Sequence, residues 1–104
     1  MKVIVGIDTK GRCAMQTIWK YVVPEGRDYF SMLLPKEAKI LTLQMQNDVL
    51  CLWALVDQIN ETERRNFRMF GTGHPFDMRE GFTYIGTFQL LDGKLVFHMF
   101  EECR

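Results

Sequence analysis

Gly71-Thr72-Gly73-His74-Pro75 sets a hydroxyl and an imidazole beside two backbone positions that carry no Cβ, with Arg68 a short step upstream. Glycines at alternate positions let a backbone come close to a ligand. Successive amides in such a turn can form an anion-binding nest. Pro75 pushes His74 toward an extended conformation and gives its ring a definite direction. Arg68 would add a planar fork for a phosphate or a carboxylate. Arg68, Gly71, Thr72, Gly73, His74 and Pro75 are therefore the candidate ligand- or partner-binding residues. The competing reading is conformational. It is a strand end running into a tight turn, with His74 bonded to backbone, because loop glycines commonly serve the path of the chain. The segment is too short for a Walker A loop and lacks its lysine.

The remaining chemistry is sparse. His98 alternates with Phe97 and Met99, so Val96, His98 and Phe100 share one strand face, and a half-exposed sheet position outweighs a metal-binding or catalytic one. Gly6-Ile7-Asp8, followed by Thr9 and Gly11, looks like the first phosphate loop of actin-like ATPases or the first strand of ribonuclease H-like nucleases. Both folds need helices and further acidic residues that the rest of the chain does not supply. No nucleophile sits in an identifiable elbow. No catalytic residue, metal ligand or cofactor is predicted.

The chain has 104 residues, of which 47% are hydrophobic, including eight Phe, three Tyr and two Trp. That suits one domain with one core. Thirteen basic and thirteen acidic residues cancel. General nucleic-acid binding, which rests on a basic excess, is not expected. Zero net charge gives little colloidal repulsion, so self-association is plausible. Cys13, Cys51 and Cys103 are odd in number and widely spaced, which is not a disulfide framework. A reducing compartment, no membrane and no leader segment are the expectation.

Strand and turn signals must position the loop. Lys2–Ile7, Thr17–Val23 and Tyr29–Leu34 read as strands, as do Lys39–Gln46, Val49–Val56 and Asn66–Gly71. Thr83–Leu90 and Lys94–Phe100 complete the set. Val49–Val56 is apolar on both faces and reads as the central strand. Gln58–Arg65 is polar and reads as a loop. Asn47-Asp48 and Asp92-Gly93 read as two-residue hairpin turns, the latter of type I′. The expected core is Trp19, Tyr21, Leu41, Leu43, Leu52, Ala54, Val56, Phe67, Phe88 and Phe97. Ile4, Val22, Phe30, Leu50, Phe70 and Phe100 remain as surplus apolar positions, which predicts a two-fold homodimer. The fold class is all-β, a small antiparallel sandwich or half-open barrel of seven to eight short strands.

From about Thr17 to Glu102 the chain resembles a family of small uncharacterised proteins of bacteriophages, prophages and mobile elements, a domain of unknown function. Thr17-Ile18-Trp19-Lys20-Tyr21, Ala38-Lys39-Ile40-Leu41 and Cys51-Leu52-Trp53-Ala54-Leu55-Val56-Asp57 carry the match. So do Phe67-Arg68 through Gly71-Thr72-Gly73-His74-Pro75, Tyr84-Ile85-Gly86-Thr87-Phe88-Gln89 and Leu95-Val96-Phe97-His98. In this pattern the family begins at Met15, so residues 1–14 are an N-terminal extension and 15–104 a single β domain. The resemblance implies a phage or mobile-element origin and a protein of the host cytoplasm.

The expected function is non-enzymatic binding that counters host defence. The partner is a host immune protein such as a CRISPR effector, or a small anionic nucleotide that serves as an immune signal. Two alternatives stand beside it: a small nucleotide-hydrolysing enzyme using His74 and Arg68, and a phage structural or assembly protein.

Overall fold

The computed structural model describes residues 5–7, 13–78 and 81–102. Lys2–Ile4 of the first predicted strand, Asp8 of the Gly-Ile-Asp motif and Cys103 lie outside them. The described residues form eight strands and no helix: β1 (Val5–Ile7), β2 (Cys13–Val22), β3 (Tyr29–Pro35), β4 (Lys39–Gln46), β5 (Val49–Asp57), β6 (Thr62–Gly71), β7 (Thr83–Leu90) and β8 (Leu95–Glu101). They make two antiparallel sheets, ordered β1-β2-β5-β4 and β3-β6-β8-β7. The sheets pack face to face without closing, which is a sandwich. Among the described residues no helix is long and apolar enough to cross a membrane.

Alternation explains most of the core. Leu52, Ala54 and Val56 of the central β5 face Phe30 and Leu34 of β3, Phe67 of β6, Phe88 of β7 and Met99 of β8. Leu43 joins them, and Tyr21 and Phe97 pack against the cluster. The phenyl rings of Phe30 and Phe67 stack at 5.4 Å across the β3–β6 pair. Cys51 is a buried free thiol.

Two expected core residues are exposed. Leu41 is 44% exposed because β4 carries a bulge between Ile40 and Thr42. One extra residue flips the alternation, so Ile40 takes the inward place and Leu41 turns out. Trp19 is 39% exposed.

Of the stretch expected as a loop, Gln58–Glu61 is a turn, but Thr62–Arg65 is strand, since β6 starts at Thr62. Its inward positions carry charge in place of apolar groups. Arg65 is buried, and its guanidinium donates to Glu101 through Nε and, at 2.7 Å, through Nη2. Nη1 donates to the Ala38 carbonyl.

Asn47 and Asp48 both adopt positive φ, at 49° and 64°, the two-residue hairpin expected of them. The β7–β8 turn is longer than expected. Leu91, Asp92 and Gly93 are all left-handed, and Gly93 N–H and Lys94 N–H donate back to Leu90 and Leu91 carbonyls.

The surplus apolar residues fall into three groups. Phe30 is core, and Leu50 packs against it. Phe70 and Phe100 sit beneath the segment that follows β6. Val22 stands exposed on the outer face of the first sheet, and Ile4 lies outside the described residues.

Candidate functional site

The outer face of the second sheet carries the residues singled out above. Register aligns Tyr29, Arg68, Phe100 and Tyr84 in one row across all four strands. The next row holds Phe70, His98 and Thr87. A bulge between Tyr84 and Gly86 makes this possible. Tyr84 and Thr87 are an odd number of residues apart and would point to opposite faces of a regular strand.

Arg68 does not converge on the glycine loop. Its guanidinium lies 4.8 Å from the Tyr29 ring centroid, and its Nε donates to Glu102 at 2.8 Å. The ion pair and the cation–π contact hold the guanidinium between Tyr29 and Glu102. An anion arriving there would have to displace Glu102.

The glycine-flanked motif builds a turn. His74 N–H donates to the Gly71 carbonyl at 3.1 Å, and Gly73 has φ +85°, as a type II turn requires at its third position. The His74 ring then lies against Gly71, where a Cβ would come within 2.9 Å of Nδ1. One glycine therefore supplies a left-handed conformation and the other room for the imidazole. Pro75 leads directly into Phe76, whose ring stacks on Phe70 at 3.9 Å. Phe82, at the far end of the loop, meets both Phe70 and Phe100 edge-on. Residues 71–78 thus fold back over the sheet, and Phe76, with Phe82, covers Phe70 and Phe100.

Thr72 and His98 tie this loop to the sheet. His98 Nε2 lies 2.7 Å from Thr72 Oγ1, and Nδ1 lies 2.8 Å from Thr87 Oγ1. Thr72 Oγ1 also reaches the Val96 carbonyl, and Thr87 Oγ1 meets the Tyr84 hydroxyl. One proton arrangement satisfies every member. Tyr84 donates to Thr87, Thr87 to Nδ1, Nε2–H to Thr72, and Thr72 to the carbonyl. His98, a half-exposed sheet residue as read, is thereby the centre of a chain that runs from β7 across β8 to the loop.

The face that results is aromatic and carries the Arg68–Glu102 ion pair. Tyr84 is 56% exposed and Tyr29 47%, with Phe76, His74 and Arg68 exposed beside them. Sequence reasoning missed Tyr29, Phe76 and Tyr84. The signal lay in cross-strand partners of Arg68, and no single strand displays them. Among the described residues no three His, Cys, Asp or Glu gather closely enough to hold a metal.

Residues 15–104 match the domain of unknown function DUF7352. The chain belongs to this family. No curated protein and no solved structure matches it. The DUF7352 domain takes in all of the Arg68-to-Pro75 block and every strand of the second sheet.

Proposed function

We propose that this DUF7352 protein is a non-catalytic binding protein of phage or mobile-element origin that counters a host defence in the host cytoplasm. In this reading it occupies the surface of a host immune protein with the outer face of its second sheet. The single observation that carries the binding mode is the row Tyr29–Arg68–Phe100–Tyr84, exposed at Tyr29, Arg68 and Tyr84 and continued by Phe76 on the loop. Tyr and Arg dominate the energetic centres of protein interfaces because they offer large rigid area with a polar end. The phage and anti-defence part rests on the sequence resemblance, which is an associational argument.

A nucleotide sponge or a His74/Arg68 hydrolase has less support. Arg68 is already engaged by Glu102 and Tyr29, and the His74 ring lies against Gly71. We further propose a two-fold homodimer through the outer face of the first sheet. There Ile18, 57% exposed, lines a shallow groove with Leu41 and Trp53, and Val22, 58% exposed, stands further along the same face.

Affinity capture from infected or plasmid-bearing host lysate, with mass spectrometry of proteins and small molecules, tests the reading. Wild type should retain one host protein stoichiometrically. Tyr84→Ala and Arg68→Ala should lose it, each by about 1–3 kcal/mol of binding, while both variants melt as cooperatively as wild type. Retention of a nucleotide lost in Arg68→Ala would establish the sponge instead. An unchanged partner profile in both variants would sink this surface as the site.

A further inference from the structure

The two ends of the sandwich are built differently. At one end the inward-facing Arg65 and Glu101 pair with each other beneath the β3–β4 turn. At the other end the sheets part around an apolar cavity of about 360 Å³. Met45 and Leu50 line it from the first sheet, and Met69, Phe88, Leu90 and Phe97 from the second. The Phe88 and Phe97 rings stack at 5.8 Å to form one wall. Leu50, Met45, Met69, Leu90 and Phe97 are half-buried around the cavity, whereas Leu52, Phe67 and Met99 deeper in are sealed.

Protein interiors are close-packed, and an apolar space of this size gives water few hydrogen-bonding partners. It falls in the range of pockets that hold small molecules. Met45 and Met69 are flexible, polarisable side chains that can adapt to an occupant.

The mouth has a definite charge. It is formed by the β2–β3 connection, Pro24 to Asp28, and by the tip of the β4–β5 hairpin at Asp48. Glu25, Asp28 and Asp48 set three carboxylates there against the single guanidinium of Arg27. An acidic rim around an apolar well favours a ligand with an apolar body and a cationic head. We propose that this cavity is a binding site for a small amphiphilic amine, with its apolar part between the sheets and its ammonium at the Glu25/Asp28/Asp48 rim. The site lies between the sheets, away from the outer surface assigned to a protein partner, and does not depend on that reading.

Three probes of one chain length separate shape from charge: octylamine, octanol and octanoate, each titrated into the full chain and followed by amide and methyl NMR. Octylamine should shift Val23, Leu50, Met69, Leu90 and Phe97 saturably, and bind about tenfold more tightly than octanoate, with octanol between them. Glu25→Gln/Asp48→Asn, at exposed positions that leave the core intact, should bring the amine and carboxylate affinities to within about threefold and leave octanol unchanged. Leu90→Trp should fill the well and abolish binding of all three. If that variant does not melt cooperatively, Met69→Phe serves in its place. Shifts confined to other parts of the chain would overturn the proposal. So would octanoate binding as tightly as octylamine, or an amine preference that survives Glu25→Gln/Asp48→Asn.

Discussion

Arg65 and Glu101 are buried charges whose mutual hydrogen bonds stand in for the water they lost. Breaking such a pair from one side leaves the other charge uncompensated, which is worse than having neither. Arg65→Met and Glu101→Leu should each lower unfolding free energy by about 3–5 kcal/mol, read from urea midpoints at constant slope. The double variant should recover most of that loss, because two apolar side chains of similar size suit the space between the sheets. Additive losses in the double variant would show that the two groups are not coupled. Tyr21 offers a pH-dependent counterpart. Burial pushes its phenol up from the ordinary 10.0. The folded chain then holds that proton at a pH where the unfolded chain has released it, so stability falls as pH rises past about 10. Below that range the group contributes no pH dependence. Tyr21→Phe removes the effect, so between neutral and strongly alkaline pH the urea midpoint of the variant should fall less than that of wild type.

At the scale of elements, the bulges in β4 and β7 do most to shape the surfaces. The first turns Leu41 outward, and the second puts Tyr84 on the same face as Thr87. Gly86 sits at the β7 bulge and lets the sheets approach, since a Cβ there would lie 3.1 Å from the Leu43 Cβ. The stretch 71–78 after β6 is the second shaping element. Its attachment rests on the Phe76–Phe70 stack and the Thr72–His98 bond. Phe76→Ala should cost about 0.5–1.5 kcal/mol for the ring pair itself, with a further share for lost area. The loss should be local: hydrogen exchange of amides 72–78 should accelerate while those of β5 keep wild-type protection. Uniform acceleration across β5 would show instead that the loop is part of the cooperative core.

At the scale of the whole molecule, the sandwich leaves two outer faces with different chemistry. The second sheet shows Tyr, Arg and His in polar and ring contacts, and the first shows Ile18, Leu41 and Trp53 beside Lys20, Thr42 and Gln44. A homodimer through the outer face of the first sheet would leave the aromatic face free for a partner. Light scattering of wild type at micromolar concentration should give twice the chain mass, and Ile18→Lys/Val22→Lys should give the monomer with an unchanged melting transition. A wild-type monomer would end the dimer proposal and leave the partner-binding face untouched.

The sequence by itself determined the all-β class, most strand positions, the Asn47-Asp48 hairpin and most of the core, because strand alternation and turn chemistry are local. Leu43, Leu52, Ala54, Val56, Phe67 and Phe88 are buried as their periodicity dictates. Tertiary structure decided whatever depends on a residue far along the chain. Thr62–Arg65 reads as a loop until Glu101, 36 residues beyond Arg65, supplies the partner that lets a charge face inward. Leu41 reads as core until pairing with β5 reveals the extra residue. Arg68 and the glycine loop read as one site, yet Arg68 is claimed by Tyr29 and Glu102 and the loop by His98 and Phe70. Alternation within a strand tells which side a residue faces. Only the pairing of strands tells what it meets there.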